Sequence, residues 1–223
     1  MFSATTHTYM NAESPVFKVG IISDLHLNLK YNENFDHRED KEGDCWVTSG
    51  VKSDIPAPMG RYGCDPPAVL IDTMLDAFNR EHGKQDVIFL LGDMSGHHTA
   101  MPVDDPTYGP STYPLLLESL SGLATHLAAK FPDTLIIPTF GNNDPEYHDN
   151  PIPVADQDFY YRYTYDLFFK VLPGNRSKLT DEQKVSIHET FMKGGYYRVD
   201  LTDKISVLAL NTLYYDSNRA TDN

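Results

Sequence analysis

Three short motifs each close an apolar run. Asp24-Leu25-His26 follows VFKVGIIS, Gly92-Asp93 follows DVIFLL, and Gly141-Asn142-Asn143-Asp144 follows LIIPTF. Carboxylate, imidazole and amide oxygen suit divalent cations of hard to borderline character, Zn²⁺ foremost and Mn²⁺ or Fe next, and no thiolate is in the set. A carboxylate such as Asp93 can bridge two cations about 3.5–4 Å apart, and such a pair activates water and neutralises the oxygens of an in-line phosphoryl displacement. These residue types therefore point to two-metal hydrolysis of phosphate esters. Singly, each motif has a bland meaning: Asp-x-His recurs by chance, Gly-Asp is a turn, and Gly-Asn-Asn-Asp is a β-turn with Asx hydrogen bonds. Their shared position after strands carries the argument.

The elements that must place them read as follows. Val16–Ser23 is a β-rich run, predicted as a buried strand. Pro66 to His82 predicts a helix with Leu70, Ile71, Met74, Leu75 and Phe78 on its apolar face and Gly83 at its end. Val87–Leu91 predicts a second buried strand. Pro114 to Lys130 predicts a second helix, with Leu116, Leu120, Leu123, Ala124 and Leu127 as its stripe, and Leu135–Phe140 a third strand. This β-α-β-α-β order implies parallel strands with right-handed crossovers. In open α/β sheets ligands gather at the carboxyl ends of the strands, where Asp24, His26, Asp93 and Asn142 all fall.

Further along, residues 156–172 predict a third helix with Phe159, Tyr160, Tyr163, Leu167, Phe168 and Val171 inward. Tyr196–Leu201 and Ile205–Leu210 flank Thr202-Asp203-Lys204 as an antiparallel hairpin. The second of these strands is apolar on both faces and is expected to be buried, and little sequence follows to cover it. Residues 28–66 and 94–110 are polar, Pro-containing loops expected to shape a cleft. No internal repeat or low-complexity tract is present.

The 223 residues, 40% hydrophobic, suffice for one domain or a large part of a bigger one. The formal charge of -14 argues against nonspecific nucleic-acid binding, which relies on Lys and Arg. It does not exclude a phosphorylated substrate, because bound cations reverse the local field. No run reaches the roughly 20 apolar residues that span a bilayer, and the first residues carry no basic and apolar leader pattern. Cys45 and Cys64 flank one polar segment. They are either unrelated thiols or a disulfide, which would contribute about 3 kcal/mol and need an oxidising compartment. Asn175-Arg176-Ser177 is a glycosylation sequon, weak support for secretion.

Asp24-Leu25-His26, Gly92-Asp93 and Gly141-Asn142 resemble the first three blocks of the calcineurin-like metallophosphoesterases. Gly92-Asp93-Met94-Ser95-Gly96-His97-His98 is similar to the Gly-Asp-x-x-x-His block of acid sphingomyelinase-like phosphodiesterases. Arg61-Tyr62-Gly63-Cys64-Asp65-Pro66-Pro67 is similar to their Tyr-Gly-x-x-Cys-Asp-x-Pro segment, and Gly194-Gly195-Tyr196-Tyr197 and Leu208-Ala209-Leu210-Asn211-Thr212 to later blocks. The resemblance implies an α/β fold, a layered β-sheet flanked by helices, incomplete at its C-terminus, over residues 16–223 behind a tail at 1–15. It implies that Asp24 and His26 bind the first of two divalent metal ions, Asp93 bridges both and Asn142 binds the second. It further implies that His97 contacts the phosphoryl oxygens, that Cys45 and Cys64 pair, and that the protein is secreted or resides in an endolysosomal or vacuolar lumen.

Two departures qualify it. The family's third block reads Gly-Asn-His, with the histidine protonating the leaving group, whereas this chain has Asn143, and an amide is no general acid at neutral pH. Gly-Asn-Asn-Asp resembles instead the block of vacuolar endopolyphosphatases, whose phosphate leaving group needs that proton less; His148 is an alternative proton source or a plain loop histidine. The later Gly-His and Gly-His-x-His blocks are missing, and His188 matches neither. The expected substrate is a phosphodiester such as a sphingomyelin-type lipid, or another phosphorylated small molecule, with polyphosphate as the alternative. A non-catalytic binding module of the same fold is the competing reading.

Overall fold

The computed structural model describes residues 17–39, 43–47, 50–100, 103–105 and 109–215. The tail expected over residues 1–15 lies outside them. In chain order the strands and helices are β1 (Val19–Ile22), β2 (Phe35–Asp36), β3 (Val51–Lys52), α1 (Ala68–His82), β4 (Val87–Leu90), β5 (Val103–Asp105), β6 (Gly109–Thr112), α2 (Pro114–Lys130) and β7 (Leu135–Pro138). Then come α3 (Gln157–Asp166), a π turn (Leu167–Val171), α4 (Pro173–Lys178), α5 (Asp181–Gly194), β8 (Tyr197–Asp200), β9 (Ser206–Ala209) and a 3₁₀ turn (Thr212–Tyr215). Among the described residues no helix is long and apolar enough to cross a membrane.

The strands β1, β4 and β7 form a parallel sheet in that order. Ile22 lies beside Leu90, and Leu90 beside Pro138, so the three strands finish level with one another. Level ends place the three motifs side by side. Both β4 and β7 carry almost wholly buried side chains. The expectation of full burial fails at β1, where Val19 and Ile21 are 45% and 60% exposed. As an edge strand, β1 turns alternate residues to opposite faces, and only the face carrying Gly20 and Ile22 is covered.

Helix α2 follows its prediction, with Pro114 in the first turn and all five stripe residues buried. Helix α1 buries Ile71 and Leu75, whereas Leu70 sits at the exposed margin. The third helix departs in part from its predicted face. Tyr160, Leu167 and Phe168 are buried as expected, Tyr161, Thr164, Tyr165 and Phe169 are buried beside them, and Phe159 and Val171 are exposed. The π turn at Leu167–Val171 inserts a residue into the helical repeat, so one α-helical period cannot describe both halves. The resulting aromatic cluster of Phe140, Tyr161, Phe168, Phe169 and Phe191 anchors α3 and α5 to the strand end at Phe140.

Two further expectations are corrected. Leu208 and Leu210 are 66% and 59% exposed, because β8 and β9 form their own two-stranded sheet rather than joining the parallel one. The sequon at Asn175 is structural. Asn175 is fully buried; its Nδ2 donates to the carbonyls of Ile136 (2.6 Å) and Phe168 (2.8 Å), and its Oδ1 accepts from Ile136 N–H at 2.7 Å. A glycan on that amide has no room in the folded chain.

Candidate metal centre

The two glycines before the strand-end ligands are dictated by close approach. A Cβ on Gly92 (φ 88°) would stand 2.2 Å from the nitrogen of Gly141, and a Cβ on Gly141 2.2 Å from Asp93 Oδ1. Their absence lets the turns after β4 and β7 pack backbone to backbone. The turn after β1 is tied in by Asp24 N–H donating to Gly92 O (3.2 Å) and His26 N–H to Asp93 O (2.9 Å). Asp24, His26 and Asp93 all hold positive φ, at 57°, 43° and 50°. Non-glycine residues avoid this region, and such strain persists where the surroundings over-determine it, commonly at functional sites.

The strained backbone converges three ligand groups. One ligand atom each from Asp24, His26 and Asp93 lies within 4.8 Å of the others. His26 Nε2 stands 3.6 Å from Asp93 Oδ2 and 3.9 Å from Asp24 Oδ1. His26 Nδ1 is buried without a hydrogen-bond partner among the described residues. Asp93 Oδ1 accepts the N–H of Asn143 at 2.9 Å. Asn142 shares a cleft of about 420 Å³ with Asp93, Gly141 and Asp149. Two carboxylates and an imidazole focused on one point favour a divalent cation, and no thiolate competes, since Cys45 and Cys64 are joined in a disulfide. The donor set fits the metal chemistry read from the sequence.

Asp144, the last residue of the third motif, is a staple. Fully buried, it accepts Met94 N–H (2.8 Å) and Ser95 N–H (3.1 Å) on Oδ1 and Gly141 N–H (2.8 Å) on Oδ2. Burial pushes its carboxyl up to about 7 despite those three donors.

His97 and His98 are placed by the long loop before α1. The disulfide joins Cys45 to Cys64, and the neighbours of those cysteines, Asp44 and Asp65, are buried carboxylates. Asp65 Oδ1 lies 2.9 Å from His97 Nδ1, and its other oxygen accepts the His97 N–H. Asp44 Oδ1 lies 3.0 Å from His98 Nδ1. The His97 ring stacks on His26, centroids 4.7 Å apart and planes within 2°. The hydrogen bond to Asp65 raises the His97 pKa above its ordinary value, outweighing the effect of burial.

A second cleft, about 510 Å³, is bounded by His97, His98, Asn143, Glu146, Tyr147 and His148. Burial first, then the negative charge of Asp156 and a hydrogen bond to it, push the Glu146 carboxyl up to about 7. The structure thus brings Asp24, His26, Asp93 and His97 together, with Asn142 and Asn143 on the adjoining turn. His188 lies elsewhere, edge-on to Tyr165 in the aromatic cluster. Sequence reasoning passed over Asp44, Asp65 and Glu146. Only Asp65 carried a signal, its place in the Cys-Asp-Pro segment.

The sequence model of the calcineurin-like phosphoesterase family matches residues 17–222, and the chain belongs to that family, whose members use divalent metal ions. Curated relatives include sphingomyelinase phosphodiesterase D of Dictyostelium discoideum, 26% identical over 87% of this chain and 42% of its own length. Human cyclic GMP-AMP phosphodiesterase SMPDL3A is 26% identical over 91% of this chain and 40% of its length. An endopolyphosphatase of Neurospora crassa is 27% identical over 90% of this chain and 26% of its length. The chain spans about two fifths of the phosphodiesterase relatives, from 39% to 42%.

Proposed function

We propose that this chain is the metal-binding portion, over residues 16–223, of a phosphoric ester hydrolase of the acid sphingomyelinase-like type, acting on phosphodiesters. Asp24 and His26 would hold one divalent cation, Asp93 would serve both it and a second, and Asn142 would hold the second through its amide oxygen. Zinc is the first choice for this nitrogen and oxygen set. When bound, a cation pair supplies an activated nucleophile and neutralises phosphoryl charge. The chain contributes position and protons. His97, whose pKa the hydrogen bond to Asp65 raises, donates from Nε2 to a phosphoryl oxygen. Asn143 and Glu146 bound the cleft that receives the rest of the substrate. The Cys45–Cys64 disulfide fits a secreted or endolysosomal setting.

The observation that carries this reading is the convergence of Asp24, His26 and Asp93 on strained backbone at level strand ends. Elemental mass spectrometry of the purified chain tests it, with Asp93→Asn as control. About two transition metals per chain, lost in the variant, is the expected result; metal content unaffected by the substitution would overturn it.

One observation favours a second reading. Asn143 stands where the resembled phosphodiesterases carry a proton-donating histidine, and an endopolyphosphatase is among the relatives. Phosphoanhydride hydrolysis tolerates that loss, because phosphate is a good leaving group. Parallel assays with polyphosphate and with an unactivated phosphodiester separate the two readings.

A further inference from the structure

Among the described residues two further non-glycine residues, besides Asp24, His26 and Asp93, hold positive φ: His98 (54°), which flanks the site, and Asp149 (63°), which belongs to none of the motifs. The backbone around Asp149 closes on the third motif. Its N–H donates to the carbonyl of Asn142 at 3.2 Å, and Asn150 Nδ2 donates to the carbonyl of His148 at 2.9 Å. Within that closed segment the side chains form a line. Asp149 Oδ2 lies 3.0 Å from His148 Nδ1, and His148 Nε2 lies 2.9 Å from Asn142 Nδ2. Asp149 and Asn142 bound the same cleft as Asp93.

Hydrogen-bond capacity fixes the direction of the line. A carboxylate only accepts, so the proton of a neutral His148 sits on Nδ1. Nε2 then offers a lone pair, and its partner must be a donor. The Asn142 amide can donate only through Nδ2, which leaves Oδ1 as its free acceptor. That oxygen is the atom a cation requires. A freely rotating amide would present nitrogen to the cation half the time, and nitrogen of an amide is no ligand.

We propose that Asp149 and His148 are positioning residues, a carboxylate–imidazole–amide chain that holds Asn142 with Oδ1 presented to a divalent cation. The inference rests on the assignment of Asn142 as a ligand made above. Carboxylates and imidazoles behind metal ligands typically account for 10–100-fold in metal affinity.

Two measurements on the full chain test it. Long-range ¹H–¹⁵N NMR of the cation-free protein at pH 8 reads the His148 tautomer; Nδ1–H is expected, and an Nε2–H tautomer would overturn the proposal. Mn²⁺ binding, followed by electron paramagnetic resonance, reads the consequence. His148→Ala is expected to weaken the looser of two sites 10–100-fold and leave the tighter one unchanged. His148→Gln, which keeps an acceptor near the Nε2 position, restores affinity to within a few-fold. Asp149→Asn, which tolerates positive φ, falls between them. Equal Mn²⁺ affinity in His148→Ala and the unaltered chain would overturn the proposal and leave the two-metal reading standing. No Mn²⁺ binding by the unaltered chain would sink that reading, and the ligand-holding role with it, whatever the tautomer.

Discussion

Asp65 grips His97 at two points, its Oδ1 on the ring Nδ1 at 2.9 Å and its other oxygen on the backbone N–H. One carboxylate therefore sets both the position of the residue and the tautomer of its ring, leaving Nε2 to face a substrate. Asp65→Asn keeps the shape and loses the charge. His97, now raised by Asp65, is expected to titrate lower in the variant, and the alkaline limb of kcat/KM to move to lower pH with it. A loss of about 10²-fold in activity is the scale for a misplaced catalytic group. The stability sign follows from linkage. A histidine raised in the folded state stabilises fully below its unfolded value, and that stabilisation fades as pH rises through the folded one. The stability gap between the native chain and the variant is thus largest in mild acid. An NMR titration of the His97 ring showing no downward shift in Asp65→Asn would refute this.

The disulfide is predicted to support the site as well as the fold. Cys45 and Cys64 are 19 residues apart, and each adjoins one of the aspartates that hold His98 and His97. Replacing both with serine is expected to remove about 3 kcal/mol of stability in the chain-entropy model. It should also lower activity at temperatures where the variant remains folded, because Asp44 and Asp65 lose their fixed spacing. Chemical unfolding with and without reductant measures the first effect. Assays well below the melting transition measure the second, and unchanged turnover there would confine the disulfide to a stabilising role.

Glu146 gives a pH signature of the opposite sign to a salt-bridged carboxylate. Its carboxyl is raised from 4.5 to about 7 by burial and by Asp156. The charge of Glu146 is felt in turn by Tyr113 and Tyr160, whose hydroxyls are raised chiefly by burial. The folded state therefore holds the Glu146 proton more tightly than the unfolded state, and stability falls as pH rises from about 4.5 to about 7. Each pKa unit corresponds to about 1.4 kcal/mol. Urea unfolding at pH 5 and pH 7.5 should show the decline in the native chain and a flatter response in Glu146→Gln. Parallel slopes in the two proteins would contradict it.

The parts legible in the sequence are those governed by local pattern. Helix α2 is bounded by Pro114 and carries an unbroken stripe, so period alone places it. The motif glycines are legible as turns, but their reason, the contact of Gly92 with Gly141, is a tertiary fact. The ribbons β2–β3 and β5–β6 are two to four residues per strand and leave no periodic trace. Burial of Asn175 defeats the sequon because a three-residue pattern carries no information on depth. The carboxylate behind His98, Asp44, is illegible for the same reason, whereas Asp65 is marked by its Cys-Asp-Pro segment. Asp44 and His98 are 54 residues apart and meet only because a loop folds back over the strand ends.

Asn143 offers the sharpest test of what the site is built to cleave. Its backbone N–H donates to Asp93 Oδ1 at 2.9 Å, it is buried, and it adjoins the cleft shared with His97 and Glu146. Its position is thus fixed by the same ligand that organises the centre. An amide there cannot deliver a proton to a departing alkoxide, whereas a histidine can. General acid catalysis is typically worth about 10²–10⁴-fold. If the native chain favours good leaving groups, Asn143→His should raise kcat/KM for an unactivated alkyl phosphodiester by about that factor. It should leave activity on an activated nitrophenyl ester, or on polyphosphate, within a few-fold. The Brønsted slope against leaving-group pKa reads this directly, and a shallower slope in Asn143→His is expected. Equal slopes would mean that leaving-group protonation already comes from elsewhere in the cleft, and Glu146, the carboxyl there held up to about 7, would be the next residue to replace.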